Sequence, residues 1–175
     1  MQQSDIAERR NAMNKGITRR EREITDIEEI RKILDKSMIV HLGLVDGDWP
    51  YVVPMNYGYT LVDGKLTLYL HGALWGKKLD LMRANSNVFF EMDCDIVPFE
   101  GEIACKYGTS YSSVMGRGTA EILEDVEAKK EGLSLFMKTQ TGKDFTFDDK
   151  TVGIVSVIKI TATEFTAKHR PMPKM

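Results

Sequence analysis

The sequence has few of the residues that mark specialised classes of protein. Its 175 residues include two cysteines, Cys94 and Cys105, three histidines and five prolines. The cysteines form no C-x-x-C pair and the histidines are scattered, so the spacing is not that of a structural zinc site and we expect no metal site. Because disulfides are uncommon in cytosolic proteins, we expect two free thiols, each buried or half-buried.

Long apolar runs and an excess of one charge are also missing. No apolar stretch approaches the roughly 20 residues of a membrane span, and the N-terminal MQQSDIAERRNAMNKG lacks the apolar core of a signal peptide. We therefore expect a cytoplasmic protein with no membrane partner. Lys and Arg number 24 against 26 Asp and Glu, for a net charge of -2, which argues against nucleic acid as the main partner.

What is present is the composition of one globular domain, with 42% hydrophobic and 29% charged residues. We expect an N-terminal arm over 1–23, a domain over 24–170 and a tail over 171–175. Thr25 and Glu28 have the spacing of a capping box, which opens a predicted helix over 25–37. The apolar pattern predicts strands at 38–45, 50–60, 65–71, 87–94, 111–123 and 152–170, helices at about 75–84 and 125–140, and an irregular connection at 95–110.

Turn and glycine signals predict how the strands connect. Asp-Gly pairs at 46–47 and 63–64 predict tight hairpins. Pro54 inside a strand-like run indicates an edge or a bulge, and Gly116 and Gly118 indicate a bulge or a close approach by another backbone or a ligand. Six strands in mostly hairpin order predict a mainly β fold, a closed or split six-stranded antiparallel barrel with short flanking helices.

The stretch LYLHGALWGKKLDLM (68–82) contains a conflict of charge. A strand-like run ends at His71 and Gly72, and Lys77 and Lys78 lie in the first turn of the helix that follows. Cations are disfavoured at a helix N-terminus, which is already partly positive. Unpaired N–H groups beside two lysines suit a phosphate, although a solvated lysine pair explains the same pattern. The stretch matches neither a P-loop nor a dinucleotide-binding motif.

Several segments in a fixed order carry a resemblance to a known family. They are PYVVPMNY, GKLTLYLHGA, GKKLD, NVFFEMD and SVMGRGTAE, within about residues 24–170. This order resembles the flavin-binding split-barrel proteins related to pyridoxamine 5'-phosphate oxidase, and among them the nitroimidazole-resistance (Nim) branch. The resemblance implies a six-stranded split barrel and a homodimer with one FMN at each subunit interface.

The resemblance implies that a bound cofactor explains the two lysines at the start of the predicted helix. It implies that Lys77 and Lys78 hold the FMN phosphate, and that His71, Gly72 and Ala73 lie beside the ribityl chain and the phosphate. In the Nim branch, the histidine that matches His71 is the residue proposed to act at the flavin and the substrate. A lone histidine at a strand end is otherwise more often structural than catalytic.

The resemblance also places the flavin ring. The strand Val53-Pro54-Met55-Asn56 would run along the isoalloxazine and offer backbone groups to its polar edge. Ser113 falls where related oxidases place a side chain that contacts the cofactor. The connection 95–110 would cover the ring in the dimer.

The function implied is that of an FMN-dependent oxidoreductase that reduces a small acceptor such as a nitroaromatic. An ordinary histidine pKa of about 6.5 would let His71 donate a proton near neutral pH. Two alternatives stay open: a flavin or haem carrier or sensor without catalysis, and a dimer without cofactor whose lysines are plain surface charges. The stretch AKHRPMPKM does not match the substrate-binding segment of the pyridoxamine-phosphate oxidases, which argues against oxidation of a vitamin B6 phosphate.

Overall fold

The computed structural model describes residues 19–173. The helices in this part of the chain are α1 (Ile27–Lys36), α2 (Lys77–Ala84), α3 (Val126–Thr141) and α4 (Asp149–Gly153). The strands are β1 (Glu23–Ile24), β2 (Ile39–Asp46), β3 (Trp49–Asn56), β4 (Gly58–Val62), β5 (Lys65–Gly72), β6 (Asn87–Phe99), β7 (Gly108–Leu123) and β8 (Ser156–Arg170). Most of the predicted arm, and the last two residues of the predicted tail, lie outside the described residues.

The strands form one antiparallel sheet that closes on itself. Its order is β3-β2-β6-β7-β8-β5-β4, and β1 pairs with β8. β3 and β4 lie at opposite ends of this order, yet only Tyr57 separates them in the chain. One bent run therefore pairs with β2 in its first half and with β5 in its second, which closes the sheet into a barrel.

The predicted mainly β, antiparallel fold is confirmed, but the strand count differs from the six predicted. The described residues contain eight strands, because the predicted strand 50–60 divides at Tyr57 and because Glu23–Ile24 adds a short strand. Tyr57 is fully buried, and its hydroxyl donates a hydrogen bond of 2.7 Å to the Leu34 carbonyl. The buried ring fixes the position of the bend, because a bend at another residue would take this bulky side chain out of the core.

The core fills the barrel, because the strands alternate apolar and polar residues. On β2, the inward residues Val40, Leu42 and Leu44 are buried while their neighbours face outward. α1 also contributes buried residues to this core. A second, smaller cluster lies outside the barrel, where Leu133 of α3 and Val157 of β8 pack together.

Three boundaries differ from the prediction. Asp26, not Thr25, caps α1, and its carboxylate accepts a hydrogen bond from the Glu29 N–H at 2.9 Å. Part of the predicted irregular connection 95–110 is strand, because β6 continues through a bulge and β7 begins early, which leaves only 100–107 between them. The predicted start of the last strand, at residue 152, is helical, since Asp148 caps α4.

The glycine and proline signals are confirmed. Pro54 lies in β3, at the end of the sheet order. A register shift separates Arg117 from Gly118, and a Cβ built at Gly118 would lie 2.2 Å from the Thr161 carbonyl oxygen. Both cysteines are free, and Cys94 is half-buried, but Cys105 is exposed, so the expected burial is wrong for Cys105. Among residues 19–173, no helix has the length and apolar character needed to cross a bilayer.

Candidate functional site

The N-terminus of α2 faces open space without a side-chain cap. Gly76 is the N-cap residue, with φ of 143° and no capping hydrogen bond from a side chain. A Cβ built at Gly76 would meet nothing within 4 Å. The first N–H groups of a helix, here those of Lys77 and Lys78, have no acceptor inside it. This end of α2 is therefore suited to bind an anion.

Lys78 lies directly over the end of β5. A Cβ built at Gly72 would lie 3.1 Å from Lys78 Cε and 3.2 Å from Lys78 Nζ. Lys78 has no ion-pair partner in the part of the chain that the structure describes. Gly72 thus leaves space that a larger side chain would occupy. The ammonium group of Lys78 beside it has no carboxylate partner among the described residues. Both features fit a phosphate group.

Lys77, in contrast, already has a partner. Its ammonium forms an ion pair with Asp46 at the end of β2, and this bond raises the pKa of Lys77. The same ammonium lies 5.4 Å from the centroid of the Tyr51 ring on β3. The two lysines predicted to act together are therefore not equivalent, since Lys77 is turned toward the β2–β3 hairpin and Lys78 toward β5.

His71 packs against a helix that the sequence did not connect with it. The ring centroids of His71 and Phe136 on α3 are 4.5 Å apart, with the planes at 73°. Burial against α3 lowers the pKa of His71 below 6.5, and the nearby Lys78 lowers it further. At neutral pH the imidazole is consequently neutral. The prediction that His71 donates a proton near neutral pH from an ordinary pKa does not agree with these surroundings.

This environment makes a measurable prediction. We expect NMR titration to give a pKa below 6.5 for His71, and Phe136→Leu to raise it, because part of the ring that buries the imidazole is removed. Since folding lowers this pKa, the stability that His71 contributes is complete above pH 6.5 and is lost as the pH falls from 6.5 through the folded-state pKa. Phe145→Leu, at an exposed phenylalanine, is the control. An unshifted His71 in wild type would contradict the prediction.

The predicted ring-binding strand lies on β3, with its residues divided between the two faces. Val53 and Met55 register with buried residues of β2 and face the barrel interior. Pro54 and Asn56 are exposed on the outer face. Val53 and Met55 can therefore act on a ligand outside the barrel only through their backbone groups.

α3 connects this strand with His71. The Asn56 amide donates a hydrogen bond of 3.3 Å to Gln140 Oε1, and Gln140 Nε2 donates one of 2.7 Å to the Tyr57 carbonyl. One helical turn earlier, Phe136 contacts His71. The structure thus brings together two predicted segments that are separated by about 15 positions in the chain, and it does so through a helix outside both.

Four residues around these groups were not predicted: Asp46, Tyr51, Phe136 and Gln140. Asp46 lies in a hairpin that the sequence marks only as a turn. Phe136 and Gln140 are four positions apart in the predicted helix 125–140 and so share one face. That spacing was the available signal, but it does not specify which strand the face covers.

Ser113 does not join the other predicted residues within one chain. His71 registers with Val157 near the start of β8, whereas Ser113 registers with Lys168 near its end. Ser113 is buried, with 5% of its surface exposed, and Ala73 is exposed. The described chain therefore groups His71, Gly72 and Lys78 at one end of β8 and leaves Ser113 at the other.

Comparisons with known proteins agree with this architecture. The family model described as pyridoxamine 5'-phosphate oxidase matches residues 26–169. No curated protein matches the chain significantly. Among solved structures, a candidate 5-nitroimidazole antibiotic resistance protein from Bacteroides thetaiotaomicron is 32% identical, covers 84% of this chain and 86% of its own, and superposes with a TM-score of 0.72.

Two more distant structures share the fold. A flavocytochrome from Azotobacter vinelandii is 21% identical, with 87% of this chain and 71% of that chain covered and a TM-score of 0.70. An FAD- and haem-binding protein from Mycobacterium smegmatis is 16% identical, with 88% and 76% covered and a TM-score of 0.73. Because the family match spans most of the sequence and a relative above 30% identity covers the same region, the chain belongs to the pyridoxamine 5'-phosphate oxidase family of flavin-binding split-barrel proteins.

Proposed function

We propose that the protein binds FMN at the N-terminus of α2 and acts as an oxidoreductase that reduces a small acceptor such as a nitroaromatic. The observation that carries the proposal is the ammonium of Lys78 over Gly72, which has no ion-pair partner within residues 19–173, beside a helix end without a side-chain cap. Membership of the family supports a flavin. The 32% identical relative, described as a candidate 5-nitroimidazole resistance protein, supports the class of acceptor.

The phosphate would be held by Lys78 and by the N–H groups that begin α2. Charge-assisted hydrogen bonds from an ammonium and from helix N–H groups are the usual means of fixing a phosphate. Lys77 contributes less, because Asp46 already neutralises it. Gly72 and Ala73 would lie beside the ribityl chain, where the absence of a bulky side chain leaves room.

The ring would lie along the outer face of β3. Because β3 ends the sheet order, one edge of Val53-Pro54-Met55-Asn56 has backbone groups outside the β2 ladder. Such groups complement the polar edge of a flavin. Bound FMN supplies the electron transfer, and the protein supplies binding, orientation and electrostatics.

His71 would act as a neutral imidazole. Its lowered pKa leaves one ring nitrogen protonated and the other free, so it can hold or pass a single proton next to the phosphate-binding turn. The contact with Phe136 fixes the plane of the ring. This role is orientation and proton handling, not the presentation of a fixed positive charge.

A homodimer would complete the site. Large apolar side chains are exposed together on the outer face of β2, β3 and β6, and they include Val52 at 60% and Phe89 at 50% exposure. Contiguous apolar surface of this kind marks interaction sites. Ser113 of β7 pairs with one end of β8, and His71 of β5 pairs with the other. A contact between Ser113 and the cofactor is therefore best explained if a second copy of the chain provides Ser113.

The experiment is an absorbance spectrum of the freshly purified protein, followed by turnover with reduced nicotinamide and a nitroimidazole. We expect flavin bands, release of FMN on denaturation, and loss of turnover but not of FMN in His71→Ala. Bound flavin without turnover would favour a carrier, haem bands would favour a haem protein, and no chromophore after incubation with FMN would reject the proposal.

A further inference from the structure

The last turn of α3 is hydrogen-bonded to the bend between β3 and β4. β3 ends its pairing with β2 at Asn56, and β4 begins its pairing with β5 at Gly58, so Tyr57 lies between the two ladders. Backbone carbonyls need a hydrogen-bond donor where a ladder does not supply one. Gln140 of α3 supplies it, because its Nε2 donates a hydrogen bond of 2.7 Å to the Tyr57 carbonyl. Gln140 therefore ties the end of the predicted ring-binding strand to α3.

The side chain of Asn56 belongs to the same group of hydrogen bonds. Its Nδ2 donates a bond of 3.0 Å to the Met38 carbonyl, directly before β2, and one of 3.3 Å to Gln140 Oε1. A side-chain amide has two N–H donors, so both donors of Asn56 face the protein. Its remaining polar atom, Oδ1, accepts no hydrogen bond within residues 19–173. Since Asn56 is exposed, an available acceptor lies on the outer face at the end of β3.

Two backbone carbonyls determine how both amides are oriented. A carbonyl oxygen can only accept a hydrogen bond, so the atom of Asn56 at the Met38 carbonyl must be nitrogen. The atom of Gln140 at the Tyr57 carbonyl must be nitrogen for the same reason, and Gln140 consequently turns its oxygen toward Asn56. If the Asn56 amide were reversed, its oxygen would face two other oxygens. Gln140 therefore holds Asn56 in the orientation that turns Oδ1 outward.

Asn56 lies at the same end of β5 as His71. The β4–β5 register, continued two positions beyond Gly58, would place Asn56 opposite His71, and β3 and β5 remain in contact. Phe136, one helical turn before Gln140, contacts the His71 ring with 4.5 Å between the centroids. One face of α3 therefore holds both the acceptor of Asn56 and the imidazole of His71.

We propose that Gln140 is a positioning residue of the flavin site, which orients Asn56 so that its Oδ1 accepts a hydrogen bond from the flavin ring. This inference rests on the proposed function, because it needs the ring at the end of β3. The polar edge of oxidised isoalloxazine has one N–H group, at N3, between two carbonyl oxygens. An outward NH₂ group of Asn56 would suit either carbonyl, whereas an outward oxygen suits only the N–H. The orientation that Gln140 imposes thus selects which part of the ring edge Asn56 binds.

The test compares FMN with 3-methyl-FMN, in which a methyl group replaces the hydrogen at N3 and the phosphate is kept. In fluorescence titrations of the apoprotein, wild type should bind FMN at least about tenfold more tightly than the analogue, the usual cost of an acceptor left without its donor. Asn56→Leu and Gln140→Leu should each bind FMN about tenfold more weakly than wild type does. In both variants the preference for FMN over the analogue should fall well below the wild-type value.

Thr139→Val is the matched control on α3. Thr139 Oγ1 accepts a hydrogen bond of 3.3 Å from the Tyr59 N–H, so this variant also removes a bond between α3 and the strand, but it leaves the bonds of Asn56 in place. It should lower the Tm, as Gln140→Leu does, and keep the wild-type preference for FMN over 3-methyl-FMN. An equal loss of that preference in Thr139→Val would overturn the proposal, because any weakening of the bend would then have the same effect.

A second measurement needs no cofactor. In NMR spectra of the apoprotein, the side-chain N–H signals of Asn56 should shift and exchange with water faster in Gln140→Leu, because one of their two acceptors is lost. Unchanged Asn56 signals would overturn the positioning role of Gln140, and an equal loss of affinity for FMN and 3-methyl-FMN would overturn the bond to the ring. Absence of any flavin binding would instead contradict the proposed function, and the Asn56 signals would still decide whether Gln140 positions that side chain.

Discussion

Lys78→Ala is expected to weaken FMN binding by about 10- to 100-fold, the usual cost of a lost hydrogen bond to a charged group. Lys78 is the ammonium over Gly72 whose charge is unmatched in the described chain. The measurement is quenching of FMN fluorescence on titration with apoprotein. Riboflavin, which lacks the phosphate, should bind Lys78→Ala and wild type with similar affinity.

The two lysines should differ in this assay. Lys77→Ala is expected to have a smaller effect, because the charge of Lys77 is already matched by Asp46. Lys65→Ala, an exposed lysine at the opposite end of β5, controls for the change in net charge. If Lys78→Ala weakened riboflavin as much as FMN, or if Lys77 proved the more important lysine, the assignment of the phosphate to Lys78 would be wrong.

Gly58→Ala is expected to lower the free energy of unfolding by about 3 kcal/mol, at the upper end of the usual cost of overpacking. A Cβ at Gly58 would lie 2.3 Å from Phe136 Cα, 2.6 Å from Phe136 N and 2.7 Å from the Leu135 carbonyl oxygen. These atoms are helix backbone and cannot rotate away as a side chain does. α3 must therefore move off β4 as a unit.

The displacement of α3 should also change the surroundings of His71. Moving α3 separates Phe136 from His71, so the pKa of His71 should rise toward 6.5 in Gly58→Ala. Urea denaturation measures the first effect and NMR titration the second. Gly153→Ala is the control, because a Cβ there meets nothing within 4 Å. If the two variants were equally stable, α3 would not be held against β4 as the structure indicates.

The helices and turns were predictable because their signals are local. Asp-Gly pairs specify hairpins through backbone conformation alone. Gly76, directly before the two lysines, is likewise a local signal, and it is the residue at which α2 begins. Boundaries were less certain where two local signals compete. Thr25 and Asp26 are both good caps, and the choice of Asp26 depends on where the apolar face of α1 meets the barrel.

The amino-acid sequence by itself determined the mainly β antiparallel fold and the association of His71, Gly72, Lys77 and Lys78 at one turn, because these follow from residues close together in the chain. It determined the family through the order of several segments along residues 24–170. Only the tertiary structure decided that Lys77 pairs with Asp46, that partial burial lowers the pKa of His71, and that His41 meets Glu91. These contacts depend on strand register and on the position of α3, which are fixed by burial across the whole barrel. A pattern of neighbouring residues carries no information about distances of that kind.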